Sequence, residues 1–225
     1  CAGSPVGWIR TYAKLDANAE FSWNNWAKAV RAGRTIATTG PLMDVMVDGK
    51  TMGDCIKMSA AGGTVEVSAW AKSCWPIGKL EIVYNGNIVA ANYSRSGLKE
   101  LHINERVKIP ASGWIAARAY GYEKHPANYM AAHSSPIYVK CGNTRAFDGP
   151  AAEHMLSLVE GGMEYLNTIA TVFDEASRKR MLKMFNDAKK ELVERMDKEH
   201  YSYHNYLDGH YHTHGRGETG CVHTH

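Results

Sequence analysis

Val65-Glu66-Val67-Ser68-Ala69-Trp70, followed by Lys79-Leu80-Glu81-Ile82-Val83-Tyr84-Asn85-Gly86-Asn87-Ile88-Val89-Ala90-Ala91, decides the fold. Val65, Val67 and Ala69 alternate with Glu66, Ser68 and Trp70, and Leu80, Ile82 and Tyr84 alternate with Lys79, Glu81 and Val83. Alternation at period two sets one face of each run on a core. Asn85-Gly86 stops the second run and supplies the positive φ angles of a tight hairpin, after which Ile88-Val89-Ala90 resumes it. Trp75-Pro76 reads as the end of the Val65 strand. The scaffold is therefore a half-buried antiparallel sheet.

The same pattern extends in both directions. Trp8 to Leu15 reads as a short strand. Ser22 caps a helix carrying Trp23, Trp26, Ala27 and Val30 on one face, and Gly33 ends it. Thr35 to Thr39 is a β-branched run closed by Gly40-Pro41. Met43, Val45 and Val47 line one side of the next strand, which Asp48-Gly49 turns. Downstream, Leu101 to Ile109, Trp114 to Tyr120 and Ile137 to Cys141 complete seven or so short strands without long helices between them, the spacing of a β-sandwich.

The composition changes at Asp148-Gly149-Pro150, and the period becomes helical. Met155, Val159, Met163, Leu166, Ile169 and Phe173 form one stripe. Asp174 caps a second helix whose stripe is Met181, Phe185, Ala188, Leu192 and Met196. Two such helices joined by a short turn pack as a hairpin. Gly161-Gly162 weakens or breaks the first of them. The fold class is mainly β with α: an antiparallel β-sandwich, a helical hairpin and an extended His-rich tail.

A chain of 225 residues buries one good core, or a core with a smaller appended unit. Its 44% hydrophobic and 22% charged residues are those of an ordinary globular protein. A net charge of +3, with Lys and Arg spread out, gives no argument for nucleic acid. The basic run Arg178-Lys179-Arg180 with Lys183 reads as a solvated helix face. No apolar run approaches the ~20 residues of a membrane span.

The chain opens on Cys1, as a processed product or a piece of a longer one would. That cysteine is also where a bacterial lipoprotein carries its lipid, which makes the expected location extracytoplasmic: secreted, periplasmic or lipid-anchored. Cys55, Cys74 and Cys141 read as small buried hydrophobes. Cys1 and Cys221 are free to pair with each other, with another copy, or with nothing.

Chemistry concentrates in the tail. Seven of the 11 histidines lie there: His200, His204, His210, His212, His214, His223 and His225, with Cys221 among them. In an extended segment His210, His212 and His214 share a face, and so do Cys221, His223 and His225. Together they offer the imidazole and thiolate donors that suit zinc, copper or nickel. Tyr201, Tyr203, Tyr206 and Tyr211 supply another way of holding the segment, by packing on the protein or on a neighbouring copy. Elsewhere, His133-Ser134-Ser135 sets a base beside hydroxyls but lacks a G-x-S-x-G elbow. Trp70, Trp75 and Trp114 are either core aromatics or a sugar-stacking platform on a sheet face. Asn92-Tyr93-Ser94 matches a glycosylation sequon.

Several stretches, taken in order, carry a resemblance. They are Gly7-Trp8-Ile9-Arg10-Thr11-Tyr12, Trp26 through Ala32-Gly33-Arg34-Thr35, Thr39-Gly40-Pro41-Leu42, Val47-Asp48-Gly49 with Gly53, Tyr84-Asn85-Gly86, Trp114-Ile115-Ala116-Ala117-Arg118, and Ala132-His133-Ser134-Ser135-Pro136-Ile137-Tyr138-Val139. Over roughly residues 1–198 the chain resembles the C-terminal portion of the CehA/McbA-type metallohydrolases of the PHP superfamily. That family hydrolyses ester or amide-type bonds with metal ions held by His and Asp in a distorted β/α barrel.

The resemblance implies that residues 1–41 correspond to the closing strand and helix of such a barrel and residues 42–142 to the sandwich that follows it. Residues 143–198 are then the helical hairpin and 199–225 the tail. The barrel's metal ligands have no counterparts here, so no catalytic or cofactor-binding residue is expected. Asp208-Gly209-His210-Tyr211-His212-Thr213 is similar to the D-x-H-x-H opening of a PHP metal site, but the 12 residues after it cannot form a barrel.

The expected function is a non-catalytic accessory region, inactive as a hydrolase on its own, with a metal-binding tail at His210, His212, His214, Cys221, His223 and His225. Its expected partners are an upstream PHP barrel or identical copies. Two rivals remain: an extracellular structural subunit joined to its neighbours through its termini, and a carbohydrate-binding module.

Overall fold

A computed structural model describes residues 7–144, 146–171, 174–205, 210–213 and 222–224; for 204, 205, 210–213 and 222–224 the description is of the backbone. The chain divides into two compact units, Cys1–Ala146 and Phe147–His225.

The first unit runs β1 (Arg10–Ala13), α1 (Trp23–Arg31), β2 (Thr35–Thr38), β3 (Leu42–Val47), β4 (Lys50–Thr51), β5 (Cys55–Met58), β6 (Gly63–Tyr84), β7 (Asn87–Ile109), β8 (Gly113–Gly121), β9 (Ala131–Ser134) and β10 (Ile137–Cys141). Among the described residues these ten strands form one sheet in the order β1-β2-β9-β8-β6-β3-β4, with β7 on β6, β10 on β8 and β5 on β10. Every pairing is antiparallel except β10 with β5. The fold is mainly β, as the alternation predicts. β1 and β2 belong to the same sheet and unit as the strands after residue 41.

The hairpin that organises it is larger than the sequence suggests. β6 and β7 are single strands of 22 and 23 residues, joined at Asn85 (φ 46°) and Gly86 (φ 84°). Two positive φ angles in succession match the right-handed twist of the flanking strands. Trp75-Pro76 does not end β6. The register against β7 shifts between Lys72 and Ile77, so the strand passes the proline, which has no N–H to give to a ladder, as a bulge. Beyond it Ile77, Leu80 and Ile82 are fully buried, and from Leu80 to Tyr84 the strand is buried on both faces.

The sheet curls so that its inner residues form one core. β3 contributes Met43, Val45 and Val47, β6 Val65, Val67, Ala69 and Ala71, and β8 Ile115, Ala117 and Ala119. Cys141 is buried as expected, whereas Cys55 and Cys74 are exposed, because both fall on outward positions of their strands. α1 begins at Ser22, whose hydroxyl accepts the Asn25 N–H, and ends at Gly33 (φ 71°).

The second unit holds α2 (Gly149–Thr168), α3 (Glu175–Lys198), β11 (Tyr203–Asn205), β12 (His210–Thr213) and β13 (Val222–Thr224). Asp148 and Asp174 cap the helices, each carboxylate accepting a backbone N–H, from Ala151 and Ser177. Gly161-Gly162 does not break α2. A side chain at Gly162 would meet the Phe185 ring at 2.7 Å, so the missing Cβ is what lets α3 approach, while Gly161 faces open space.

The predicted stripes are buried in part: Leu166 and Met196 fully, Val159, Met163, Phe185 and Leu192 partly. Ala152, Leu156, Leu166 and Met196 are buried, while Met155, Ile169, Met181 and Ala188 are exposed and Phe173 lies outside the described residues. Glu160 takes a buried position on α2 and pairs with Lys189 of α3 at 3.1 Å. A polar residue in the seam is invisible to a hydrophobicity period. The basic run is a solvated face as expected: Arg178 pairs with Glu175 and Lys183 with Asp187.

Candidate functional site

The tail is anchored by its tyrosines. Tyr203 is buried with Ala152, Leu156 and Met196, and its hydroxyl donates to Asp197 at 3.3 Å. Tyr201 packs edge-on to Phe147 and donates to Glu153. Between them and α3 the chain turns through His200, at φ 51°. From there β11, β12 and β13 pair antiparallel in a sheet of their own. The register sets His212 opposite His223 and Tyr203, and His210 opposite Asn205. Residues two apart on a strand share a face with their cross-strand partners, so His210, His212 and His223 hold positions on one face. His214, Cys221 and His225 lie outside the described residues, as do Cys1 and Asp208. Among residues with described side chains, no group of three His, Cys, Asp or Glu is placed to hold a metal.

The His133-Ser134-Ser135 run is not a nucleophile site. Successive residues of β9 face opposite ways: His133 is exposed, whereas the Ser134 hydroxyl is buried and accepts the Ala117 N–H at 2.9 Å. Ser135 bonds the Thr35 hydroxyl. These serines stitch strands together. Asn92 sits within β7, where its amide donates to the His102 carbonyl at 2.9 Å.

The outward faces of β6 and β8 carry a charge cluster that alternation alone assigns to solvent. Glu81 is 1% exposed. It accepts from Arg118 Nε at 2.6 Å and from the Tyr93 hydroxyl at 3.2 Å, with Lys79 Nζ 3.5 Å away. Burial alone would raise its carboxyl pKa. The Arg118 hydrogen bond, the charges of Lys79 and Arg118 and the Tyr93 bond outweigh burial and hold it below the ordinary value.

Of the three tryptophans that could make a platform, the structure brings two together. Trp70 and Trp75 line one cleft of about 660 Å3, and Trp114 stands elsewhere, opposite Tyr138. The cleft's other wall is Trp8, Arg10 and Tyr12 from the N-terminal segment. Sequence reading did not single these out for a site, although their period-two spacing on a strand candidate was the available signal. Trp8 stacks at a tilt on Tyr129, and Trp75 on His125. Another hollow of about 660 Å3, on β3, β6 and β7, is lined by Asp48, Glu66, Asn104, Glu105 and Arg106 with no histidine among its lining residues.

No protein-family model matches this sequence, and no curated protein matches it. Among the described residues no helix is long and apolar enough to cross a membrane.

Proposed function

We propose that this chain is a non-catalytic accessory region, resembling that of a secreted PHP-type metallohydrolase, which seats on a catalytic barrel through its N-terminal strand and helix and holds a transition metal in its C-terminal sheet. One observation carries the reading: Ile9, Phe21 and Trp23 are 68%, 87% and 74% exposed. Three large apolar side chains this exposed within fifteen residues suit a surface that a partner covers. They fall in the stretch that resembles the closing strand and helix of a barrel, which makes such a barrel the partner that fits.

The register of the tail supports the metal site. Directly opposed residues of an antiparallel pair have Cβ atoms about 4.5–5.5 Å apart, close enough for two imidazoles to share one ion. The backbone register sets His212 opposite His223, and imidazole donors suit zinc, copper or nickel.

The purified chain, supplied with zinc or manganese, is expected to turn over aryl esters no faster than a chelated control; turnover above that control refutes the accessory reading. Dialysis against zinc followed by elemental analysis is expected to find bound metal that His212→Ala/His223→Ala loses, and an unchanged metal content refutes the tail site. In sedimentation a monomer that retains metal supports the proposal. Polymers that chelator or thiol dissolves would assign the chain to the structural-subunit class instead.

A further inference from the structure

The aromatic cleft has a composition that the docking face does not share, and Ile9, Phe21 and Trp23 do not line it. Its walls are Trp8, Tyr12, Trp70 and Trp75, with Arg10 and Lys72 beside them and no acidic residue among the described lining. Trp75 is 54% and Tyr12 45% exposed, so ring surface remains open to solvent. A smaller hollow of about 260 Å3 shares Tyr12, Leu42 and Trp70 with the cleft and adds Arg34, Lys14 and the Asp44 that pairs with Lys14. Two adjoining hollows suit a linear ligand, and rings interleaved with a few polar groups are the lining of a binding site.

The cations decide which linear ligand fits. Lys14 faces Asp44, Arg34 faces Asp16 and Lys72 faces Glu100 at 3.3 Å. Arg10 meets no carboxylate among the described residues; its guanidinium lies 6.0 Å from the Tyr12 ring centroid. A single-stranded nucleic acid brings a phosphate with every base and calls for a row of unpaired cations. One free guanidinium fits instead a single carboxylate, gripped through two parallel hydrogen bonds. The aromatic faces accept the C–H faces of pyranose rings on either side of it.

We propose that this groove binds a linear polysaccharide bearing carboxylates, a uronate-containing chain, with Trp70, Trp75 and Tyr12 stacking sugar rings and Arg10 holding a carboxylate. The groove uses Arg10 and Tyr12 of β1, whereas the docking reading uses Ile9, Phe21 and Trp23, and sugar binding by the chain alone involves neither a barrel nor the tail, so each reading can fail without the other.

The test is titration of the full chain with oligogalacturonate and alginate oligomers, followed by tryptophan fluorescence and calorimetry. Cello-oligosaccharides serve as the neutral comparison and oligo(dT) as the polyanion comparison. The expected result is saturable binding of the acidic oligosaccharides, weakened about 10-fold by Trp75→Ala, the effect of losing one stacked ring. Arg10→Gln should erase the preference for acidic over neutral sugars, and Arg10→Lys should restore part of it. Trp75 is half-exposed and stacks on His125, so the thermal midpoint of each variant is read alongside, and Tyr12→Ser gives a second reading of the stacking. Absence of saturable sugar binding, or affinity unchanged in both Trp75→Ala and Tyr12→Ser, overturns the proposal. So does tighter binding of oligo(dT) than of the acidic sugars.

Discussion

Arg118→Ala is the sharpest probe of the sheet. It removes the 2.6 Å hydrogen bond from a carboxylate that is 1% exposed, while Lys79 at 3.5 Å and the Tyr93 hydroxyl stay in place. Losing one partner of a buried pair costs roughly 3–5 kcal/mol, and the two remaining partners put this case at the lower end, about 3 kcal/mol. At about 2–4 °C per kcal/mol for a unit of this size, the thermal midpoint should fall by roughly 6–12 °C.

The pH dependence has a definite sign. Glu81 is held below its ordinary value in the folded protein. The stability that this contributes is therefore present above the unfolded-chain value, about pH 4.3, and is lost as pH falls through the lower folded value. Without Arg118 the carboxyl loses the first of the contributions that hold it low and titrates higher than in the parent, so the folded variant is penalised at neutral pH and relieved by acid. Urea unfolding at pH 7 and at pH 4 should show the gap between parent and variant shrinking at the lower pH. Glu81→Leu/Arg118→Met, which removes both charges, should return to within about 1 kcal/mol of the parent. A loss under 1 kcal/mol for Arg118→Ala at pH 7, or a loss equal at both pH values, would refute the reasoning.

The adjacent glycines of α2 should respond with opposite signs in urea unfolding. Gly161→Ala faces open space and should stabilise the helical unit by about 1 kcal/mol, while Gly162→Ala drives a methyl into the Phe185 ring and should destabilise it. Gly53→Ala should abolish soluble expression, since at φ +84° its Cβ would lie 1.8 Å from the Ala32 carbonyl oxygen; Gly49→Ala, with nothing within 4 Å, should cost only about 1–2 kcal/mol of left-handed strain. Ser22→Ala removes the cap of α1 and should cost about 1 kcal/mol, read as faster amide exchange confined to that helix.

The sequence by itself determined the β class, the two turns at Asp48-Gly49 and Asn85-Gly86 and the caps at Ser22 and Asp174, while Asp148 was legible only as a change of composition. These are local: a period of two, a residue that tolerates positive φ, or an oxygen three residues before a bare N–H acts within one turn of chain. For the tail the sequence offered tyrosine packing only as one of two ways of holding the segment, and the contacts of Tyr201 and Tyr203 with residues about fifty positions earlier were not legible in it.

Only tertiary structure decided the rest. That β6 runs on past Trp75-Pro76 depends on the bulge against β7, which no residue of β6 specifies alone. That Glu160 is buried against Lys189 while Met155 and Met181 are exposed depends on a contact between two helices, silent in either one's hydrophobic pattern. Trp8, Arg10 and Tyr12 reach Trp70 and Trp75 across some sixty residues of chain because β1 joins the sheet through β2 and β9, at the end where it curls round toward β3. A period reports which face of an element is apolar; which surfaces that face meets is settled when the sheet closes on itself.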